Sequence, residues 1–95
     1  MHVISRKALL AFWEKHPESR MPLLRWYKVM SQNDFKTFND LQMTFPSTDL
    51  VEGFAVFNIA GNNYRLIASV HFNRKKVYVR DVLTHAEYDR GGWKR

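Results

Sequence analysis

Side chains suited to binding an anion and moving protons lie mostly in the last third of the chain. Arg65 and Arg80 fall in segments that alternate like β-strands, and a guanidinium group binds a phosphate through two parallel hydrogen bonds. His85 and Tyr88 follow three residues apart, a spacing that puts both on one side of a helical turn. Histidine transfers protons near neutral pH, and tyrosine donates a proton or holds a phosphate oxygen. These residue types suit the cleavage of RNA.

Such cleavage needs a base for the 2′-hydroxyl proton, an acid for the leaving 5′-oxygen, and fixed cations that stabilise the pentavalent phosphorane. The sequence leaves open which side chain is the base and which is the acid. A metal site made of His85, Glu87 and Asp89 is disfavoured, because their alternation within one turn points the side chains apart. We therefore expect neither a metal nor a cofactor.

The elements that position these side chains change character halfway along the chain. Helical spacing of apolar residues predicts three helices in the first half, over 6–16 with Ser5 as its cap, over 18–32, and a short one that ends at 41. A period of two predicts strands over 2–4, 54–59, 64–72 and 77–83. We expect an α+β fold, one domain over 1–95, with the N-terminal helices packed on one face of a twisted, mainly antiparallel β-sheet.

Turns between the strands fix which residues pair. Gly61-Asn62 suits a two-residue turn because both residues tolerate positive φ, and this turn places Asn58 opposite Arg65. Arg74-Lys75 as the next turn predicts three further pairs, His71–Tyr78, Ser69–Arg80 and Arg65–Thr84. The assignments give one apolar face that includes Leu83. The other face is polar around an apolar strip of Val56, Ile67 and Val82, and it holds Asn58, Arg65, Ser69, His71, Tyr78, Arg80 and Thr84.

Charge and composition agree with a polyanion as partner. Fifteen Lys and Arg against nine Asp and Glu give a net charge of +6, and a basic protein gains from releasing the counterions of a nucleic acid. The expected RNA contacts outside the catalytic group are Asn58, Arg74, Lys75, Lys76, Tyr78, Lys94 and Arg95. Trp93 stands in a tail expected to be mobile, where it stacks on a base or frays. His2 and His16 are expected at the surface.

The sequence also bears on the compartment in which the protein is expected. It contains no cysteine, which excludes disulfides and thiolate metal sites. It has neither the apolar segment of a signal peptide nor an apolar run long enough to span a bilayer. We therefore expect a cytoplasmic protein with no membrane partner.

Two segments resemble the signatures of a known family. Residues 57–67, FNIAGNNYRLI, resemble the F-N-[IV]-x-G-N-x-[YL]-R-[LV]-[IV] signature of HigB-type toxins of the RelE superfamily. Residues 77–89 are similar to the second signature of these toxins, a strand that runs into T-H-x-E-Y-D. The resemblance implies a RelE-like fold and a type II toxin that cuts mRNA, often on the ribosome, and so inhibits protein synthesis and growth. It also implies a HigA-like helix-turn-helix antitoxin, through which alone the toxin would reach DNA.

The resemblance also implies roles for individual residues. Arg65 matches the central-strand arginine that the superfamily uses on phosphate, and His85 and Tyr88 match the C-terminal pair that closes the site. Arg80 and His71 join the catalytic group because they share the polar face. A non-catalytic RNA- or ribosome-binding small basic protein is the alternative. It would use the same arginines and need neither His85 nor Tyr88.

Overall fold

The fold is seen in a computed structural model that describes residues 1–94, with side chains up to residue 93. Its helices are α1 (Arg6–Lys15), α2 (Arg20–Gln32), α3 (Phe38–Thr44) and α4 (His85–Arg90), with short 3-10 turns at Pro17–Ser19 and Gly92–Lys94. Its strands are β1 (His2–Ile4), β2 (Asp49–Val51), β3 (Phe54–Ile59), β4 (Tyr64–His71) and β5 (Lys76–Thr84). They form one sheet in the order β1-β5-β4-β3-β2, antiparallel except for β1 with β5. The expected α+β class is confirmed.

The core lies between the N-terminal helices and one face of the sheet. Leu9 of α1 and Leu23 and Met30 of α2 are fully or almost fully buried, and they belong to one cluster with the inward-facing side chains of β3, β4 and β5. Burying one such side chain contributes about 1.5–3 kcal/mol to folding. In residues 1–94 no helix is long and apolar enough to cross a membrane.

The first hairpin has the predicted register, and the second does not. Asn58 pairs with Arg65 as expected, but the turn between β4 and β5 is centred on Asn73-Arg74, one residue earlier than predicted, so that His71 pairs with Lys76 and Ser69 with Tyr78. A bulge at Arg80 then shifts the pairing by one residue, and Arg65 pairs with Leu83. The predicted pairs of the second hairpin, His71–Tyr78, Ser69–Arg80 and Arg65–Thr84, are therefore wrong.

The same bulge exchanges two side chains between the faces of the sheet. Val82 belongs to the main core, whereas Leu83 packs on the opposite face, the reverse of what the sequence predicts. That second face is partly covered, because the C-terminal 3-10 turn lays Trp93 over Val56 and Ile67. The Trp93 side chain is only 7% exposed. The expectation of a mobile Trp93 is wrong, since the apolar strip of the sheet provides a surface that buries its ring.

Two helix boundaries also differ from the prediction. Ser5 adopts a left-handed conformation with φ of 72° and forms no side-chain cap of α1. The third helix ends at Thr44 rather than at 41, and the Thr37 side chain caps its start by accepting a hydrogen bond from the Asp40 backbone. Strand β2 was not predicted at all.

Candidate active site

Arg65 lies near one end of the sheet, in the central strand β4, and its guanidinium group is held in place. Nη1 donates to the Asn62 and Tyr64 carbonyl oxygens at 3.2 and 3.1 Å, and Nη2 donates to Asn62 Oδ1 at 2.6 Å. These contacts use three of the five N–H groups of an arginine. They leave the Nε–H and one N–H of Nη2 for another acceptor. Most of the group is therefore engaged, and the residue is only 9% exposed.

The charge of Arg65 has no counter-ion within the part of the chain that the structure describes. Its hydrogen-bond partners are neutral oxygens, and no carboxylate lies within ion-pair distance among residues 1–94. Burying an unpaired charge is costly, so proteins seldom retain one without a use for it. A bound anion would offset this cost. Arg65 thus presents a charge that no carboxylate of the described residues compensates, on a group that hydrogen bonds hold in place.

Tyr88 of α4 contacts both Arg65 and the tail. The Arg65 guanidinium carbon lies 5.5 Å from the centre of the Tyr88 ring, within the range of a cation–π contact. Trp93 stacks on Tyr88 at 5.2 Å and donates its indole N–H to the Tyr88 carbonyl oxygen at 3.1 Å. The Tyr88 hydroxyl makes no hydrogen bond to any other residue between 1 and 93. The ring is thus fixed while its hydroxyl keeps a donor and an acceptor for a ligand.

A capping box at Thr84 fixes the start of α4. The Thr84 hydroxyl accepts from the Glu87 backbone N–H at 3.2 Å, and the Glu87 carboxylate accepts from the Thr84 backbone N–H at 2.9 Å. The latter bond holds the pKa of Glu87 below its ordinary value. The helix ends at Gly91, whose φ of 76° only glycine adopts without strain. His85 and Tyr88 are therefore carried by a short helix with both ends defined.

His85 joins the same end of the sheet. Its backbone N–H donates to the Asn63 carbonyl oxygen at 3.1 Å, while the neighbouring Asn62 holds Arg65. The turn between β3 and β4 thus connects the two residues. The imidazole Nδ1 lies 2.8 Å from Asp89 Oδ2, one helical turn further on. In residues 1–94 no three His, Asp or Glu side chains lie close enough together to hold a metal ion.

The other two predicted catalytic residues lie further along the sheet. His71 stands six residues from Arg65 on β4, a separation of about 20 Å along an extended strand. It contacts Ser69 Oγ at 3.3 Å and the edge of the Tyr78 ring. Arg80 is exposed, and its guanidinium carbon lies 4.7 Å from the centre of the Phe54 ring. The apolar patch formed by Val56, Ile67 and Trp93 separates it from Arg65. The structure therefore brings Arg65, His85 and Tyr88 together, but not His71 or Arg80.

Most of the expected RNA contacts gather around His71. Arg74 and Lys75 are exposed in the β4–β5 loop, and Lys76 pairs with His71. We call His71, Arg74, Lys75, Lys76 and Tyr78 the hairpin cluster. An open depression of about 580 Å³ adjoins it, lined by Lys36, Val70, His71, Phe72, Asn73 and Lys75. Asn58 is exposed beside Arg65. The side chain of Lys94 and the whole of Arg95 lie outside what the structure describes.

A group of packed side chains between the α1–α2 corner and the start of β4 was not predicted from the sequence. His16 is half-buried rather than at the surface, stacked on Phe12 at 4.5 Å and 5.6 Å from the Tyr64 ring. The Tyr64 hydroxyl donates to Glu18, which raises the pKa of Tyr64 and lowers that of Glu18. A histidine directly before Pro17 gives no signal of this packing. The contact joins the α1–α2 corner to the start of β4, next to Arg65.

Asp81 is a second titratable group that the sequence analysis missed. Burial raises the pKa of its carboxyl group, Arg80 opposes the rise, and Glu87 adds to it. Asp81 pairs with Ile67 just after the bulge at Arg80. Its partial burial follows from that bulge, for which the sequence gives no signal.

A family comparison agrees with this fold and this cluster. The profile of the HigB toxin family, described as the RelE-like toxic component of a toxin-antitoxin system, matches residues 19–91. The matched range includes Arg65, His85 and Tyr88 with the residues that contact Arg65 and His85, but it ends before Trp93. The chain therefore belongs to the HigB family of RelE-like toxins.

Curated relatives cover nearly the same range. The chain is 38% identical over 92 residues to the mRNA interferase toxin HigB of Escherichia coli strain K12. The aligned region covers 94% of this chain and 88% of that protein. The mRNA interferase HigB of Shigella flexneri matches to the same extent. That of Escherichia coli O6:H1 is 32% identical over 93 residues, or 95% of this chain and 90% of the relative.

Proposed function

We propose that this protein is the toxin of a type II toxin–antitoxin pair and that it cleaves mRNA through attack of the RNA 2′-hydroxyl. One observation carries the chemical part of the proposal. A nearly buried arginine without a counter-ion in the described chain lies against a tyrosine whose hydroxyl makes no bond there. The relatives' names, mRNA interferase, give the substrate class.

Arg65 supplies the fixed positive charge. In the reaction the 2′-oxygen forms a bond to phosphorus and the bond from phosphorus to the 5′-oxygen breaks, so negative charge grows on the non-bridging oxygens. In an arginine the Nε–H and one N–H of Nη2 lie along one edge of the guanidinium group, and this edge matches two such oxygens. Because Asn62 already holds the group, little reorganisation is needed as the charge develops.

His85 and Tyr88 handle the protons in this proposal. One takes the proton of the 2′-hydroxyl, and the other gives a proton to the departing 5′-oxygen. The backbone bond from His85 to Asn63 and the ring contact of Tyr88 with Arg65 keep both residues at the phosphate site. With Arg65 supplying charge and these two groups supplying proton transfer, the chemistry requires no metal.

The remaining cations bind the rest of the RNA. Asn58 adds a neutral polar contact beside Arg65, Arg80 lies across the apolar patch near Phe54, and the hairpin cluster adds positive charge about 20 Å from Arg65 along the strands. A single phosphodiester would not reach both ends, but a strand of several nucleotides would. His71 thus becomes an RNA-binding residue in the proposal rather than a catalytic one.

The proposal includes partners and a setting. We propose that the protein acts in the cytoplasm on mRNA bound to the ribosome and that a HigA-like helix-turn-helix antitoxin neutralises it. The family description names a toxin-antitoxin system, which supports an antitoxin as partner. The net charge of +6 favours association with mRNA or with ribosomal RNA.

Inducible expression separates this function from the non-catalytic alternative. We expect expression to arrest growth and to produce new 5′ ends within mRNAs, detected by primer extension, within minutes of induction. The His85→Ala variant should do neither, although it should still bind RNA. Growth arrest with mRNAs left intact would contradict the proposal and favour a protein that only binds RNA or the ribosome.

A further inference from the structure

The side chain of Asp89 has no part in the proposed reaction so far, yet it contacts a group that does. Asp89 Oδ2 lies 2.8 Å from His85 Nδ1, which is the distance of a charge-assisted hydrogen bond. The other ring nitrogen, Nε2, makes no hydrogen bond or ion pair with any residue between 1 and 93. The imidazole is therefore held through one nitrogen while the other stays available.

The backbone keeps this contact in place. His85 and Asp89 stand one turn apart on α4, so their side chains share a face. The Thr84–Glu87 capping box fixes the start of the helix, and the Trp93 indole holds its last turn through the Tyr88 carbonyl. A helix of six residues would fray without such ends. The pair thus has a defined geometry although it lies at the surface.

We infer that Asp89 is a positioning residue that sets the tautomer of His85 and so makes it the general base. A carboxylate at Nδ1 keeps the hydrogen on that nitrogen, which leaves the lone pair on Nε2. The inference rests on the proposed function. In the reaction Nε2 takes the proton of the 2′-hydroxyl, Tyr88 gives its phenolic proton to the 5′-oxygen, and Asp89 stabilises the imidazolium that forms.

The exposure of the pair indicates that it serves orientation rather than stability. The side chain of His85 is 45% exposed and that of Asp89 is 59% exposed. Ion pairs this exposed change the free energy of unfolding little, because water screens them. The Asp89→Ala variant should therefore fold as the parent does. A loss of activity in this variant would then reflect the imidazole and not the fold.

Nitrogen-15 NMR at a pH where imidazole is neutral tests the tautomer without reference to activity. We expect His85 in the parent protein to carry its hydrogen on Nδ1, and in Asp89→Ala to shift towards the Nε2–H form. His2, exposed and without a carboxylate contact, is the internal reference. A parent His85 in the Nε2–H form, or the same tautomer in both proteins, would overturn the inference.

Cleavage of an mRNA in a purified translation mixture provides the second measurement. We expect Asp89→Ala to lower the rate at saturating mRNA at least tenfold, with the half-saturating mRNA concentration unchanged. Asp89→Glu, which keeps a carboxylate within reach, should recover much of the rate. Asp49→Ala, on the distant strand β2, should match the parent.

The cleavage assay distinguishes failure of the inference about Asp89 from failure of the proposed function. Unchanged cleavage by Asp89→Ala would remove Asp89 from the mechanism and leave the proposed function standing. Absence of cleavage by the parent protein would overturn the proposed function and the role of Asp89 with it. If the rate falls and Asp89→Glu does not recover any of it, the carboxylate is not what positions His85.

Discussion

The double variant His85→Ala/Tyr88→Phe should cleave mRNA only slightly more slowly than the worse of its two single variants. Each single change should lower the rate about a hundredfold or more, because each removes one of two proton transfers in a single step. Groups that act as one catalytic unit show strongly non-additive losses. The measurement is the rate constant for cleavage of one mRNA by the four proteins of this double-mutant cycle.

Tyr88→Phe separates chemistry from packing in that cycle. It keeps the ring that stacks on Trp93 and contacts Arg65, and it removes only the hydroxyl. Trp93→Phe, which alters the packing beneath the ring and leaves the hydroxyl, is the matched control and should lose less activity. Parent-like cleavage by Tyr88→Phe would show that the tyrosine is structural. Additive losses in the double variant would mean that the two residues act in separate steps.

Arg65→Gln should abolish growth arrest and lower the rate of cleavage about a hundredfold to a thousandfold. The change keeps a polar side chain that can still hydrogen-bond, although a shorter one, and it removes the charge that would stabilise the phosphorane. Because the described part of the chain offers Arg65 no counter-ion, the neutral variant should fold at least as stably as the parent. The measurements are the cleavage rate and thermal unfolding.

Arg65→Lys provides the intermediate case. Lysine keeps the charge but loses the planar fork, so it cannot donate to Asn62 and to a phosphate edge together. We expect it to retain more activity than Arg65→Gln and less than the parent. A cooperatively folding Arg65→Gln protein that remains fully toxic would remove Arg65 from the mechanism.

The hairpin that carries Arg65 could be predicted from the sequence because its turn is encoded locally. Ala60 and Gly61 both adopt positive φ in the structure, and the chain reverses between Ile59 and Tyr64. Glycine at this position limits the turn to a few types. The pairing of Asn58 with Arg65, and with it the face on which Arg65 lies, then follows from strand alternation.

The second hairpin could not be predicted in the same way. Its turn is centred one residue earlier than Arg74-Lys75, at a place where no glycine limits the turn type, and the bulge at Arg80 has no sequence signature. One extra residue moves every later side chain to the other face, so Val82 and Leu83 exchange places. His71 and Arg80 were assigned to the catalytic group because they share a face with Arg65, and a shared face does not make residues close. Along an extended strand, six residues separate groups by about 20 Å.

The cover over the second face was not predicted from the sequence. Val56 and Ile67 were assigned to an apolar strip on an otherwise polar face, but Trp93, which covers them, was expected to be mobile. The turn at Gly91, which directs the tail back to the sheet, was not predicted. Without that turn Trp93 would have no route to the strip. The role of Tyr88 as the link between Trp93 and Arg65 follows only from the folded geometry.

Analysis of the ends of the cleaved RNA tests the central claim most directly. If Arg65, His85 and Tyr88 promote attack by the 2′-hydroxyl, the products carry a 2′,3′-cyclic phosphate on one fragment and a 5′-hydroxyl on the other. Mass spectrometry of the fragments reads both ends, and a single 2′-deoxynucleotide at the cleaved position should block the cut. Products with a 3′-hydroxyl and a 5′-phosphate, or continued cleavage at the 2′-deoxy position, would contradict the mechanism.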